Sequence, residues 1–532
     1  MPVRMVDDTP DPNDYQDRGG GGGRGGMNSG GGGGGGLFNL LPLLLMLFKR
    51  PGGWVLLLLL AGGYFFLNQQ GCGGLFNQSN ASAFATGGIL DPKEFSKAPV
   101  YEALSPDDVR NPLPSYVSLG KFAPPRQNQG RQGSCVAWSC AYAAQTILLS
   151  ASRGLNPAEA ALSPSYMYNQ IGLQGCQGSY LDRAMKLMTA KGGVPFNSFP
   201  YNENDCSARP PSSLDAQAAA NRIHGYNRLT TSQDPNGINI RAIKEHLAKD
   251  APVAIGMMVG GSFMEGMMGR KLWQPTREDY AQLGFGGHAM TIIGYDDKLA
   301  GGAFQIMNSW GPEWGENGIG WVRYADFEQF GREAYGIDPM PKQGAALQQA
   351  FDCEIGLVQV NEKGQRQNYL GLKDAGNNVF ASSTTVPKGT RFKVEVKNST
   401  ECYVYVFGQE VDGSSYTLFP YPLSTDPTKT AYTAYCGITG VRLFPSKQSM
   451  MVDDVGNKDY IAVVVSKKEL PWYQVNQAIN QNKTNYSSAV SSALRQFGPS
   501  SISVSRGTQG AMRFTAPAGN EGLAFAVVEI SK

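Results

Sequence analysis

Between Val136 and Leu149 the chain carries no charge, no proline and no glycine. A polar, glycine-containing loop runs straight into that stretch: Gln127-Asn128-Gln129-Gly130-Arg131-Gln132-Gly133-Ser134-Cys135. Its length and Ala/Leu content predict a buried helix whose first turn carries Cys135. A thiol at that place feels the positive end of the helix dipole and its free N–H groups, and both favour thiolate. A lone cysteine at a helix start is more often an inert core residue. The choice between the two depends on finding a base elsewhere in the chain.

At 532 residues the chain exceeds one compact core, so two or three domains are expected. Basic and acidic residues nearly balance, 46 against 44, and no Lys/Arg-rich block stands out, which argues against a nucleic-acid partner. Three His and eight Cys are scattered, with no C-x-x-C and no His pair at helical spacing, so no metal or cofactor is expected.

Residues 1–36 end in glycine runs and are expected to form a disordered, cytoplasmic tail. Residues 37–76 form the expected membrane anchor region. It holds two short apolar runs, Leu37–Phe48 and Trp54–Leu67, around Lys49-Arg50-Pro51-Gly52-Gly53. Each run is shorter than the ~20 residues that cross a bilayer comfortably, and one continuous span would bury two charges. The preferred arrangement is a single pass from about residue 52 to 76, with Lys49-Arg50 inside and the rest exported. Residues 77–112 are expected to be a linker, residues 113–340 a globular domain, and residues 350–532 a mostly β domain. Strands are predicted at Arg391–Lys397, Cys402–Phe407, Tyr416–Phe419, Tyr460–Ser466 and Leu523–Ile530. Val411–Ser414 reads as a hairpin turn and Trp472–Asn480 as a helical patch.

A sulfur nucleophile needs an imidazole and a third group that fixes the tautomer of that ring. His246 lies in a charged helical pattern and His224 in a polar connection. His288 instead follows Gly286-Gly287 and opens a strand of apolar residues, Ala289 to Tyr295. Shortly after it, a strand ends in Asn308-Ser309-Trp310-Gly311. An Asn amide can accept from imidazole, and an adjacent indole can keep water from that bond.

Together, Gln129-Gly130…Ser134-Cys135, Gly287-His288-Ala289 and Asn308-Ser309-Trp310-Gly311 resemble the papain/cathepsin family of cysteine peptidases. The separations from Cys135 are near the ~130–150 residues usual there. Leu113–Val117 resembles the mature N-terminus of the family, and Gly175–Leu181 with Phe199-Pro200-Tyr201 its substrate-groove segment. The resemblance implies an α+β, papain-like two-lobed catalytic domain, one lobe helical and one β, between the membrane anchor and the C-terminal β domain. It implies Cys135 as nucleophile, His288 as general base and acid, Asn308 as the group orienting His288, and Gln129 as an oxyanion donor. Trp310 would cover the His288–Asn308 pair. Gly178, Ser179, Tyr180, Gly256 and Ala289 would line the substrate groove.

The family's second Cys before the nucleophile is replaced here by Gln132, and Val136 stands where its Trp follows. Cys176 and Cys206 both lose their usual partners, and a Cys176–Cys206 bridge would mend both losses. The long charged pro-region usual in the family is missing, so latency by that route is not expected. The C-terminal domain, similar to a β-rich domain that follows papain-like peptidases in bacteria, is expected to hold a Cys402–Cys436 bridge and to bind the envelope or a partner. The function implied is a membrane-tethered, exported cysteine endopeptidase, extracytoplasmic and bacterial (periplasmic), acting on protein or peptide substrates through a thioester. The same triad would serve a transpeptidase or other acyltransferase, and the fold alone a non-catalytic envelope-binding module.

Overall fold

The computed structural model describes residues 3–8, 84–230, 237–343, 349–482 and 485–532. The anchor region 37–76, most of the glycine-rich tail and the first residues of the linker lie outside the described residues. Among the described residues, no helix is long and apolar enough to cross a membrane.

The apolar stretch after Cys135 is a buried helix, as its composition predicts. It is α-helical over Cys135–Ala137, widens to a π-helix over Trp138–Gln145, and returns to α over Thr146–Arg153. Gly154 ends it in the left-handed conformation, φ 65° and ψ 31°, which a residue without Cβ adopts at no steric cost. Around it pack Pro164–Ile171, capped by the Ser163 hydroxyl on the Tyr166 N–H, and Leu181–Ala190. These make the helical lobe.

The β lobe is one antiparallel sheet in the order Tyr226–Arg228, Gly331–Ile337, Val253–Val259, Gly286–Asp296, Ala303–Met307, Ile319–Arg323. Tyr116–Ser118 joins the histidine strand where Val253–Val259 leaves it. The Ser139 hydroxyl donates to the Met290 carbonyl at 2.6 Å, and the Thr291 hydroxyl donates to the Ser139 carbonyl at 2.9 Å. This pair locks the cysteine helix to the histidine strand, so the positions of Cys135 and His288 are set by two rigid elements. Met257, Phe263 and Met267, all within the methionine-rich stretch 257–268, pack into this lobe's core.

The C-terminal region has the expected strands, observed as Arg391–Asn398, Cys402–Gln409, Ser415–Phe419, Lys458–Ser466 and Leu523–Ser531, with a helix at Trp472–Asn480. Two sheets share one apolar core: Ile355, Val394 and Val396 come from one, Val404, Val463 and Val527 from the other. The expected Cys402–Cys436 bridge is not made. The two residues stand directly opposite in register, yet both are free thiols, and Cys402 is within hydrogen-bonding reach of both Cys436 and Cys353. The Cys176–Cys206 bridge is present.

The N-terminal tail departs from expectation. Val3–Asp7 is a strand, paired antiparallel with Gln448–Val452 of the C-terminal domain. Asp8 continues it, and its carboxylate takes the buried Lys393 ammonium at 2.7 Å. Met5 packs against the core of the C-terminal domain, and this contact and the ion pair hold the strand in place.

Candidate active site

The structure brings Cys135, His288 and Asn308 together at the junction of the two lobes. Cys135 opens its helix. The backbone N–H of Ala289, next to His288, donates to the Cys135 Sγ at 3.5 Å. His288 Nε2 donates to Asn308 Oδ1 at 2.8 Å, which leaves Nδ1 as the nitrogen able to take a proton. Nδ1 is buried and has no hydrogen-bond partner. The Trp310 indole stacks on the His288 ring, 4.2 Å between centroids and 19° between planes, and screens the His288–Asn308 bond from solvent.

Gln129 is fully buried beside them. Its carbonyl oxygen accepts from the Ser309 hydroxyl at 2.6 Å, and its amide nitrogen donates one hydrogen to the Gln132 carbonyl at 2.9 Å. The second amide hydrogen is not used by these bonds. Gln132 donates in turn to the Asn202 carbonyl at 3.2 Å. A hydrogen bond thus ties this loop to the segment around Asn202.

The remaining predicted residues line one groove. Gly178 and Ser179 present main-chain atoms, while the Ser179 hydroxyl turns inward onto the Ile171 carbonyl at 3.0 Å. The Ser179 side chain therefore stays out of the groove face. Tyr180 is half-buried, with the Arg183 guanidinium 5.0 Å from its ring. Gly256 and Ala289 form the wall beyond Cys135, and Glu333 lies across the sheet from Gly256.

The groove is occupied by the chain itself. Residues 84–91 run through it as a strap. The Phe84 ring lies 5.1 Å from that of Trp310, and the Trp310 indole N–H donates to the Ala85 carbonyl at 2.8 Å. Ser179 N–H donates to the Gly87 carbonyl at 2.9 Å, Ile89 N–H to the Ser179 carbonyl at 3.0 Å, and Gly88 N–H to the Gly287 carbonyl at 3.0 Å. Leu90 fills the space above Gly256, where a Cβ would meet its Cδ2 at 2.4 Å. Asp91 N–H donates to the Glu333 carboxylate at 3.0 Å. Cys135 and His288 are both 0% exposed as a result. Residues 84–91, expected as part of a linker, thus cover the site through main-chain contacts. Sequence reasoning passed over the strap because its contacts are main-chain ones. The signal was the pair Gly87-Gly88, since only glycine passes so close to the backbone of Gly133.

Burial also sets the protonation states. It pushes the Cys135 thiol up to about 12, against the pull of the N–H groups of Ala289, Val136, Cys135 and Gly88. It pushes the His288 imidazolium down to about 4, against the Asn308 bond. Under the strap the pair is thiol and neutral imidazole, and the ion pair expected from the motif is suppressed. Burial raises Glu333 to about 8, and the nearby Asp182 and Asp91 carboxylates push in the same direction.

Residues 118–340 match the family described as papain family cysteine protease. Over 237 residues the chain is 28% identical to cathepsin B-like CP2 of Giardia intestinalis, covering 43% of this chain and 76% of that protein. It is 27% identical over 222 residues to mouse cathepsin K, covering 41% of this chain and 60% of that protein. Among solved structures it is similar to xylellain, a cysteine protease from Xylella fastidiosa, at 23% identity and a TM-score of 0.40, over 50% of this chain and all of the other.

Proposed function

Residues 118–340 are a papain-family cysteine protease domain, and from that premise we propose that the chain is a latent cysteine endopeptidase acting through Cys135, His288 and Asn308. In the uncovered site, His288 Nδ1 takes the Cys135 proton, and the thiolate attacks the carbonyl carbon of a peptide bond. The resulting oxyanion lies between the Gln129 amide and the Cys135 backbone N–H. His288 then protonates the leaving amine, and water, deprotonated by the same ring, cleaves the thioester. Asn308 Oδ1 holds the ring in the tautomer that makes Nδ1 the acceptor. The observation that carries this is the geometry of His288: Nε2 fixed on Asn308, Nδ1 unpartnered, and the next backbone N–H on the cysteine sulfur.

Substrate would lie along Gly178 and Ser179, where the strap now makes its main-chain bonds, with a side chain directed toward Tyr180, Gly256 and Ala289. The strap, its Gly88 N–H engaged by the Gly287 carbonyl, lies over the nucleophile. Membrane tethering through residues 37–76 and an extracytoplasmic catalytic domain are proposed on the two apolar runs and the flanking Lys49-Arg50. The strand Val3–Asp7 favours an even number of crossings.

The test is an epoxide that traps thiolates, applied to chain uncovered by Gly87→Ala and to the same chain carrying Cys135→Ala. Labelling confined to the former, with new peptide termini from a denatured protein substrate, is expected. Equal labelling of the two chains would remove Cys135 from the mechanism.

A further inference from the structure

Beyond residue 91 the strap does not return directly to the catalytic domain. A short helix, Pro92–Phe95, seats the Phe95 ring edge-on against Tyr335, and residues 99–111 then pass between the catalytic and C-terminal domains. Val100 makes parallel bridges to Arg228 on one side and Tyr432 on the other, and its N–H donates to the Ala431 carbonyl at 2.5 Å. Ser105 N–H donates to the Val441 carbonyl at 2.8 Å. The Asn111 side chain mimics a strand neighbour: its Oδ1 accepts from the Val441 N–H at 2.9 Å and its Nδ2 donates to the Val441 carbonyl at 2.8 Å.

Charge fixes the same segment at two points. Arg442 of the C-terminal domain is 0% exposed. It donates to the Glu102 carbonyl at 3.1 Å and to the Asn398 amide oxygen at 3.1 Å, and lies 3.4 Å from the Tyr101 hydroxyl. That hydroxyl donates to the Glu245 carboxylate of the catalytic domain at 3.1 Å. Removing the segment would leave Asn398 as the hydrogen-bond partner of a buried guanidinium, an arrangement proteins avoid. At the far end, Arg110 forms a two-pronged contact with Glu395, at 2.5 and 2.6 Å.

We propose that the C-terminal β domain is the holdfast of the strap: its surface around Ala431, Val441, Arg442 and Glu395 binds residues 99–111 of the same chain and thereby keeps residues 84–91 in the cleft. The peptidase reading supplies only the purpose of the cover. The contacts themselves are independent of it. The partner of this surface is the chain's own N-terminal segment, and the strand Val3–Asp7 on Gln448–Val452 is a second contact of the same kind. Activation then becomes an event at the C-terminal domain: whatever displaces residues 99–111 from it loosens the strap.

Glu395 keeps Arg366 at 2.9 Å and the Tyr369 hydroxyl when Arg110 is removed, so Arg110→Ala unties the strap with little insult to the domain. The experiment is hydrogen exchange on full-length Cys135→Ala chain, with and without Arg110→Ala and Asn111→Ala together. Exchange of the Gly87, Gly88 and Ile89 amides should accelerate by about tenfold or more, the equivalent of one lost charge-assisted contact, while strands 391–398 and 512–516 keep their protection. Acceleration in 99–111 with residues 84–91 within twofold of the parent would overturn the proposal. If the double variant does not fold, Tyr101→Phe, which removes one hydroxyl, is read in the same way. A second arm alkylates Cys135 in chain with the native cysteine. Faster exchange and faster alkylation without peptide cleavage would defeat the peptidase reading and leave the holdfast standing.

Discussion

Replacing Gly87 by Ala tests whether the strap protects the nucleophile, and it does so without touching the catalytic domain. With the strap seated, a Cβ at residue 87 would lie 2.2 Å from the Gly133 carbonyl oxygen and 2.5 Å from its carbon. Both atoms are backbone and cannot rotate away, whereas ordinary contacts lie beyond about 3.4 Å. The strap must withdraw by about 1 Å, which stretches its bonds to Ser179 and Gly287 past hydrogen-bonding distance. The three shortest of these bonds, at 2.9, 3.0 and 3.0 Å, are at stake. At about 1 kcal/mol net each, the covered state loses about 3 kcal/mol, and the uncovered fraction rises roughly a hundredfold. The accompanying stiffening of the free strap opposes release by under ~1 kcal/mol and does not change the sign. The assay is the rate of Cys135 carboxymethylation by iodoacetamide, followed by intact mass, with Cys135→Ala as blank. A Gly87→Ala rate within twofold of the parent would refute the assignment of residues 84–91 as the cover.

Five further outcomes are expected. Glu333, which the strap meets through the Asp91 N–H, is raised by burial from the ordinary 4.5 to about 8, with Asp91 and Asp182 facing it, Lys186 paired to Asp182 at 2.6 Å, and Tyr335 beside it. A carboxyl raised in the closed state stabilises closure below its open-state value and loses that contribution as pH rises through about 8. Exchange of the Gly88 and Ile89 amides, corrected for intrinsic rate, should therefore increase from pH 5 to 9, and Glu333→Gln should flatten the profile. Asn308→Ala should lower kcat of uncovered enzyme by roughly a hundredfold with KM little changed, since it frees the ring and leaves the groove intact. Cys176→Ser with Cys206→Ser should cost about 3 kcal/mol in denaturant titration, from a bridge closing a separation of 30 residues. Peptide mapping should find Cys402 and Cys436 unlinked. An impermeant maleimide should label Arg4→Cys and Val411→Cys from the same side of intact cells, and labelling from opposite faces would contradict the pairing of Val3–Asp7 with Gln448–Val452.

What could be read from the sequence was what side-chain pattern encodes. The charge-free run after Cys135 marked a buried helix, and the alternation in residues 391–530 marked five strands of the C-terminal domain almost to the residue, while others, such as Phe351–Val360 and Met512–Ala516, were not marked. The order of Cys135, His288 and Asn308 marked a site that the structure assembles. The strap escaped because Gly87, Gly88 and Ser179 meet through main-chain atoms, and a glycine pair looks the same in a linker as in a tight crossing. The N-terminal strand escaped because five residues beside a long glycine tract carry little periodic signal. For Cys402 and Cys436 the expected bond is not made, since a third thiol, Cys353, reaches Cys402 only through the folding of both sheets.

The cover acts on the chemistry twice. It fills the groove that substrate would use, and it removes the water that would stabilise a thiolate beside an imidazolium. Helix dipole and N–H donors pull the Cys135 thiol down, yet burial outweighs them and leaves it near 12, while His288 falls to about 4. Transfer of the proton from sulfur to imidazole is thus uphill while the strap is seated. When it leaves, the desolvation that dominates both shifts is what disappears, whereas the N–H of Ala289, the helix start and the Asn308 bond all stay. Each of these retained contacts favours the charged pair. The site needs no rearrangement of its own residues to become reactive, and uncovering alone should bring the thiol down and the imidazole up toward each other.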